Sequence, residues 1–151
     1  MQRGHLSGPT YPEDFVKLLR ISHLGIASPT LDVASDLLER VFGIKRDHIE
    51  EVADQKVRVA FYPVGESCLE YLEPTDPEGP VGAYLAKNTA GGVHHIAFEV
   101  DDLDAAVEEL LSRGIRMIDK APRKGAHGNR IAFIHPKETG GVLIEICQPG
   151  G

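Results

Sequence analysis

The sequence predicts a mixed α+β fold: two tandem βαβββ modules whose strands join into one curved sheet cleft, with helices outside. Three observations carry that reading. Ser22-His23-Leu24-Gly25-Ile26-Ala27 falls on His94-His95-Ile96-Ala97-Phe98-Glu99, so the chain repeats itself at an offset of 72. In both copies a Leu-Asp pair then opens an amphipathic segment, LDVASDLLERVFG and LDAAVEELLSRG, that stops on a glycine. Each half closes with two runs rich in β-branched and aromatic residues. A repeat of this size is one supersecondary unit that cannot bury both faces of its own sheet, so the copies must pack side by side.

Residues 1–19 have no counterpart in the repeat and are read as an N-terminal extension: a docked helix over PEDFVKLL, a flexible tail or a cloning remnant. The domain spans 20–148, with module one at 20–73, a linker at 74–92 and module two at 93–148. The first strand of each module is the repeated apolar segment. The helices follow, with Leu37/Leu38 and Leu110/Leu111 on the apolar stripe and Gly43 or Gly114 at the C-terminal cap. Short strands are expected at 45–50 and 116–119. VRVAFYPVG and CLEYLEP complete the first module; NRIAFIHP and GVLIEICQP complete the second. Proline and glycine punctuate both ends of the linker, and VGAYLAKN between them has room for two helical turns.

Composition narrows the function classes. At 151 residues, 42% hydrophobic and 26% charged, the chain has an ordinary globular balance. A net charge of −7 and scattered basic residues argue against a nucleic-acid partner. No apolar run is long enough to cross a membrane, and MQRGHLSGPTYPEDFVKLLR has no apolar signal region, so the expected location is the cytoplasm. Cys68 and Cys147 cannot form a disulfide framework or a zinc tetrad.

Strand alternation sorts the ionisable residues. In the second module His95, Ala97 and Glu99 share one face, and Ile96, Phe98 and Val100 share the other, expected to lie beneath the helix. His95 therefore points into the cleft, as does its repeat mate His23, with Leu24 and Ile26 on the helix side. Leu69-Glu70-Tyr71 and Ile144-Glu145-Ile146 each bury a carboxylate in an apolar run, at an offset of 75. An unpaired carboxylate inside such a strand is costly. His23 with Glu70 and His95 with Glu145 thus converge as candidate ligands of a divalent cation of the manganese, iron, cobalt, nickel or zinc kind. The alternative is a pair of buried His–Glu hydrogen bonds without a metal.

This pattern resembles the vicinal oxygen chelate superfamily, also called the glyoxalase/bleomycin resistance/dioxygenase superfamily, over residues 20–148. Within it, AGGVHHIAFEVDDLDAAV, KGAHGNR, AFIHPKETGGVLIE and AYLAKN are similar to the methylmalonyl-CoA epimerase family. That resemblance implies an isomerase of propionate metabolism that interconverts (2R)- and (2S)-methylmalonyl-CoA. It implies removal of the C2 proton through a metal-stabilised enolate, with His23, Glu70, His95 and Glu145 as metal ligands and Glu145 also as catalytic base. The metal it implies is divalent: cobalt first, then manganese, nickel, zinc or magnesium. A homodimer is implied as well. Some family members carry a second glutamate base on the strand matching Val57–Ala60, where this chain has KVRVAF. Two other readings stay open: a glyoxalase-like lyase acting on a glutathione hemithioacetal, and a metal-free small-molecule binding module.

Other polar residues carry less. His127 in GAHGNR is a solvated loop residue or part of a pocket lid. Lys137 sits in a turn, and Asp101-Asp102 fits a helix N-terminus. Lys87, Arg123, Lys124 and Arg130 are the candidates for gripping CoA phosphates, with no glycine-rich phosphate loop to choose among them. Glu39, Arg40, Glu108 and Arg113 are read as solvated helix faces.

Overall fold

A computed structural model describes residues 15–150. The first module runs β1 (Arg20–Ala27), a helical segment α1 that opens at Asp32–Ala34, β2 (His48–Val52), β3 (Val57–Val64) and β4 (Ser67–Pro74). Helix α2 (Pro80–Lys87) fills the linker, as the VGAYLAKN segment predicts, with its proline in the first turn. The second module repeats the order with β5 (Gly92–Glu99), α3 (Leu103–Ser112), β6 (Arg123–Lys124), β7 (Arg130–Ile134) and β8 (Leu143–Gln148).

All eight strands form one sheet in the order β2-β3-β4-β1-β5-β8-β7-β6. Within each module the first strand pairs in parallel with the last, β1 with β4 and β5 with β8. The two modules meet where β1 and β5 pair antiparallel. The order is therefore symmetric about that junction, and the curled sheet is the half-barrel expected for the superfamily fold.

Several expectations need correcting. Leu38 is buried but Leu37 is 46% exposed; Leu110 packs into the core while Leu111 faces solvent. Consecutive helical residues lie about 100° apart, so only one of each pair can face the sheet. Helix α1 also widens over Ser35–Glu39, where Arg40 N–H donates to Ser35 C=O at 3.1 Å and Phe42 N–H to Leu37 C=O at 3.2 Å. The two glycine stops do hold, since Gly43 and Gly114 both adopt positive φ.

Helices α1 and α3 do not cover the convex face of β1 and β5, while α2 packs on Ala27 of β1 and Leu72 of β4. Helix α1 packs on Ala60 and Tyr62 of β3 with Leu69 and Tyr71 of β4, and α3 packs on Ala132 of β7 and Ile146 of β8. Val100 joins the α3 core, but Leu24, Ile26, Ile96 and Phe98 are only half-buried on the convex side. The strand expected at 45–50 lies at 48–52. The one expected at 116–119 is reduced to a bridge from Met117 to Ile134, and β6 occupies the outer position instead. Pro122 lacks an N–H and restricts the residue before it, which breaks any continuous strand. The Asp119 carboxylate accepts from Phe133 N–H at 2.9 Å, beside the backbone pairing. Of the PEDFVKLL segment, residues 12–14 lie outside the described range. Phe15–Leu19 is not helical; Leu19 N–H donates to Glu99 C=O, while Val16 and Leu18 pack against the α3 core.

Candidate metal centre

The concave face of the central strands carries the predicted ligands. His23, Glu70, His95 and Glu145 are all buried, between 4% and 7% exposed. Their placement follows from register: Glu70 on β4 lies opposite Gly25 on β1, and Glu145 on β8 lies opposite Ala97 on β5. In each module the carboxylate thus sits beside the residue two beyond the histidine, on the same face.

His23 and His95 meet across the junction with their Nε2 atoms 3.2 Å apart. Glu145 closes the group from below, its Oε2 3.3 Å from His23 Nε2 and its Oε1 3.7 Å from His95 Nε2. One donor atom from each of these three side chains lies within 4.8 Å of the others. Glu70 stands on the far side of His23, with Oε2 2.9 Å from Nδ1. The geometry therefore separates a converging trio from a fourth residue that contacts its central imidazole.

Electrostatics favours a cation here. Burial alone would lower the His23 pKa, but hydrogen bonding and charge from Glu145 and Glu70 outweigh it and raise the value to about 10. Burial, reinforced by His23 and His94, holds His95 well below the usual histidine range, so its ring is neutral with a lone pair to offer. Burial also raises the Glu145 carboxyl, against the opposing pull of His23. Glu145 Oε2 is buried and makes no well-aligned hydrogen bond, its nearest polar neighbour being His23 Nε2. Two imidazole nitrogens aimed at one another and the buried Glu145 carboxylate beside them make a donor set that a divalent ion fits, with Glu70 against the other nitrogen of His23.

The site opens two ways. A cavity of about 460 Å³, lined by Phe61, Cys68, Glu70, His127 and Cys147 among others, reaches it from one side. An apolar cavity of about 210 Å³, lined by Val57, Leu72, Val81, Phe133 and Leu143, reaches His95 from the other. Cys68 and Cys147 are free thiols that burial pushes up to about 12, which favours the thiol over the thiolate.

The lesser candidates resolve individually. Asp102 caps α3, accepting from Ala105 N–H at 3.0 Å. Arg130 is held by Asp104 through two hydrogen bonds and Arg123 by Asp119 at 2.8 Å, whereas Lys87 lines a surface cavity next to the apolar one. Lys137 is exposed. Glu39 lies 3.4 Å from the Tyr62 hydroxyl, Arg40 pairs with Asp36, and Arg113 pairs with Glu109 and covers the Phe15 ring. Sequence reasoning missed Gln55, Val59, Ala126 and Asn129, which line the candidate metal centre. Val59 faces the site from β3, and its alternation with Ala60 was the available signal. Gln55, Ala126 and Asn129 come from irregular segments with no period to read.

Residues 22–133 match the Glyoxalase/Bleomycin resistance protein/Dioxygenase superfamily. The chain is 38% identical to the mitochondrial methylmalonyl-CoA epimerase of Mus musculus, over 87% of this chain and 74% of that protein. It is 35% identical to the ethylmalonyl-CoA/methylmalonyl-CoA epimerase of Cereibacter sphaeroides, over 85% and 97%. A solved structure of a methylmalonyl-CoA epimerase in complex with methylmalonyl-CoA and NH4+ superposes with a TM-score of 0.83 at 40% identity, covering 88% of this chain and 96% of the other. Among the described residues no helix is long and apolar enough to cross a membrane.

Proposed function

The chain belongs to the glyoxalase/bleomycin resistance protein/dioxygenase superfamily, and from that membership we propose that it interconverts (2R)- and (2S)-methylmalonyl-CoA. The observation that carries this reading is a buried pair of histidines and pair of carboxylates in a chain 35–38% identical to named epimerases over most of its length. His23, His95 and Glu145 hold a divalent cation, with Glu70 as the fourth member of the set. Cobalt is the first choice, and manganese, nickel, zinc and magnesium are alternatives. When bound, the ion supplies Lewis-acid stabilisation for negative charge developing on substrate oxygens, a contribution of several kcal/mol.

The chain's own side chains supply the proton transfers. Glu145 takes the proton from C2. Inversion then needs a proton returned to the opposite face. The strand that offers a glutamate in some family members presents Val59 to the site, and Glu70 is the other carboxylate lining the centre. Glu70 and Glu145 contact opposite nitrogens of His23, and as the second carboxylate of the centre Glu70 is the group assigned to return the proton, with solvent exchange resetting both groups. The apolar cavity beside His95 has the lining to take the acyl methyl and thioester and to exclude water.

A homodimer and a cytoplasmic location complete the proposal. The half-buried apolar strip Leu24, Ile26, Ile96 and Phe98 on the convex side supports pairing. Residues 20–148 act as one catalytic domain, with 1–19 as an extension. The test is turnover of (2S)-methylmalonyl-CoA against a glutathione hemithioacetal by the same metal-loaded preparation. Epimerisation of the CoA ester supports the reading; turnover of the hemithioacetal alone overturns it in favour of a glyoxalase-like lyase.

A further inference from the structure

A second group of metal-binding side chains stands at the mouth of the cleft, outside the buried centre. Asp47, His48 and His127 each present a donor atom, and the three atoms lie within 4.8 Å of one another. They come from both modules: His48 begins β2 with Asp47 just before it, whereas His127 belongs to the loop ahead of β7. Two imidazoles and a carboxylate are thus brought together, His127 from a part of the chain distant from the adjacent Asp47 and His48.

The group is organised in advance. Asp47 Oδ2 lies 2.6 Å from His48 Nδ1, and the His48 ring stacks on Phe61 with centroids 4.4 Å apart and planes 14° from parallel. The His127 ring stands 5.0 Å from that of His48 and 5.3 Å from Phe61. Its backbone N–H donates to Glu50 Oε2 at 2.9 Å, and the same carboxylate oxygen lies 3.7 Å from His48 Nε2. His127 also holds φ +60°, a left-handed conformation uncommon outside glycine. That conformation sets an imidazole from one module against an Asp-His pair of the other.

We propose that Asp47, His48 and His127 form a second divalent-cation site. Its imidazole-rich donor set suits zinc, nickel, cobalt or copper rather than magnesium or calcium, and its exposure leaves the remaining coordination positions to water. The ion straps the 125–129 loop to the first module. Asp47, Phe61 and His127 line the 460 Å³ cavity, while Ala126 and Asn129 of the same loop line the buried centre. Occupancy at the rim therefore stiffens one wall of the inner site. The site stands independently of the reaction assigned to that inner centre.

Zinc uptake by the full chain tests this, with bound metal counted after equilibrium dialysis at micromolar free zinc. The variant is His127→Asn, because asparagine tolerates the left-handed conformation and keeps the loop in place. Wild type is expected to bind one more zinc ion per chain than the variant. Losing a ligand should weaken that ion by more than the roughly 10–100-fold that outer-shell changes cost. His23→Ala, which disables the buried centre, should keep the ion that His127→Asn loses. Equal uptake by wild type and His127→Asn overturns the proposal, whatever the inner centre binds.

Discussion

Gly25→Ala adds one methyl group and should dismantle the metal centre. A Cβ at residue 25 would lie 2.1 Å from His95 Cε1, 2.4 Å from Nδ1 and 2.7 Å from Nε2. Ordinary van der Waals contact begins at 3.4 Å, so the imidazole must retreat by about 1.3 Å. Nothing else forbids the change, since Gly25 does not hold a positive φ and its repeat mate is Ala97. The space open to the displaced ring is the apolar cavity that His95 lines, which leads away from His23 and Glu145. A displacement near 1 Å in a reacting centre costs about 100-fold, and overpacking a buried site costs about 1–3 kcal/mol. Metal affinity and turnover should each fall at least 100-fold while the far-ultraviolet circular dichroism of the sheet is unchanged. The assay is metal content after dialysis against stoichiometric cobalt, run beside initial-rate kinetics. A Gly25→Ala protein that keeps a full complement of metal and turns over within threefold of wild type would refute the reasoning.

Other consequences are equally direct. With metal removed by EDTA, His23 has a folded pKa raised from 6.5 to about 10, so its stabilising contribution is complete below pH 6.5 and is lost as the pH climbs through about 10. The melting temperature of the metal-free protein should fall from pH 7 to pH 10, more steeply than that of His23→Ala, and apparent metal affinity should rise about tenfold per pH unit as the competing proton leaves. Glu70→Gln removes the negative partner of His23 Nδ1 and should lower metal affinity by about 10–100-fold, read by competition with a chromophoric chelator; unchanged affinity would remove Glu70 from the site. Asp102→Ala deletes the α3 cap at a cost of about 1 kcal/mol, lowering the melting temperature by about 2–4 °C with kinetics unaltered; a change in turnover would show that α3 communicates with the centre.

The four inner side chains were legible because two periodicities coincide. Alternation places His23 and His95 on one face of their strands, and the repeat offset pairs Glu70 with Glu145, so facing and equivalence reinforce each other. Alternation does not reveal how close strands from different modules come. Gly25 looks like any strand glycine until β1 is found against β5, where its missing side chain makes room for His95. Gln55 and Asn129 lie in segments whose path is set by tertiary contacts rather than by local pattern. The helix stripes were misread at Leu37 and Leu111 for a related reason: composition marks both leucines of a pair as apolar, and only the rotation of the helix over the sheet selects one.

The most direct test of the central claim is deuterium incorporation at C2 of methylmalonyl-CoA in D₂O. It compares cobalt-loaded wild type, the same protein in EDTA, and cobalt-loaded Glu145→Gln with its metal content measured. The account predicts rapid exchange only in the first. Failure of fully metal-loaded wild type to exchange the C2 proton, or undiminished exchange in Glu145→Gln, would contradict it.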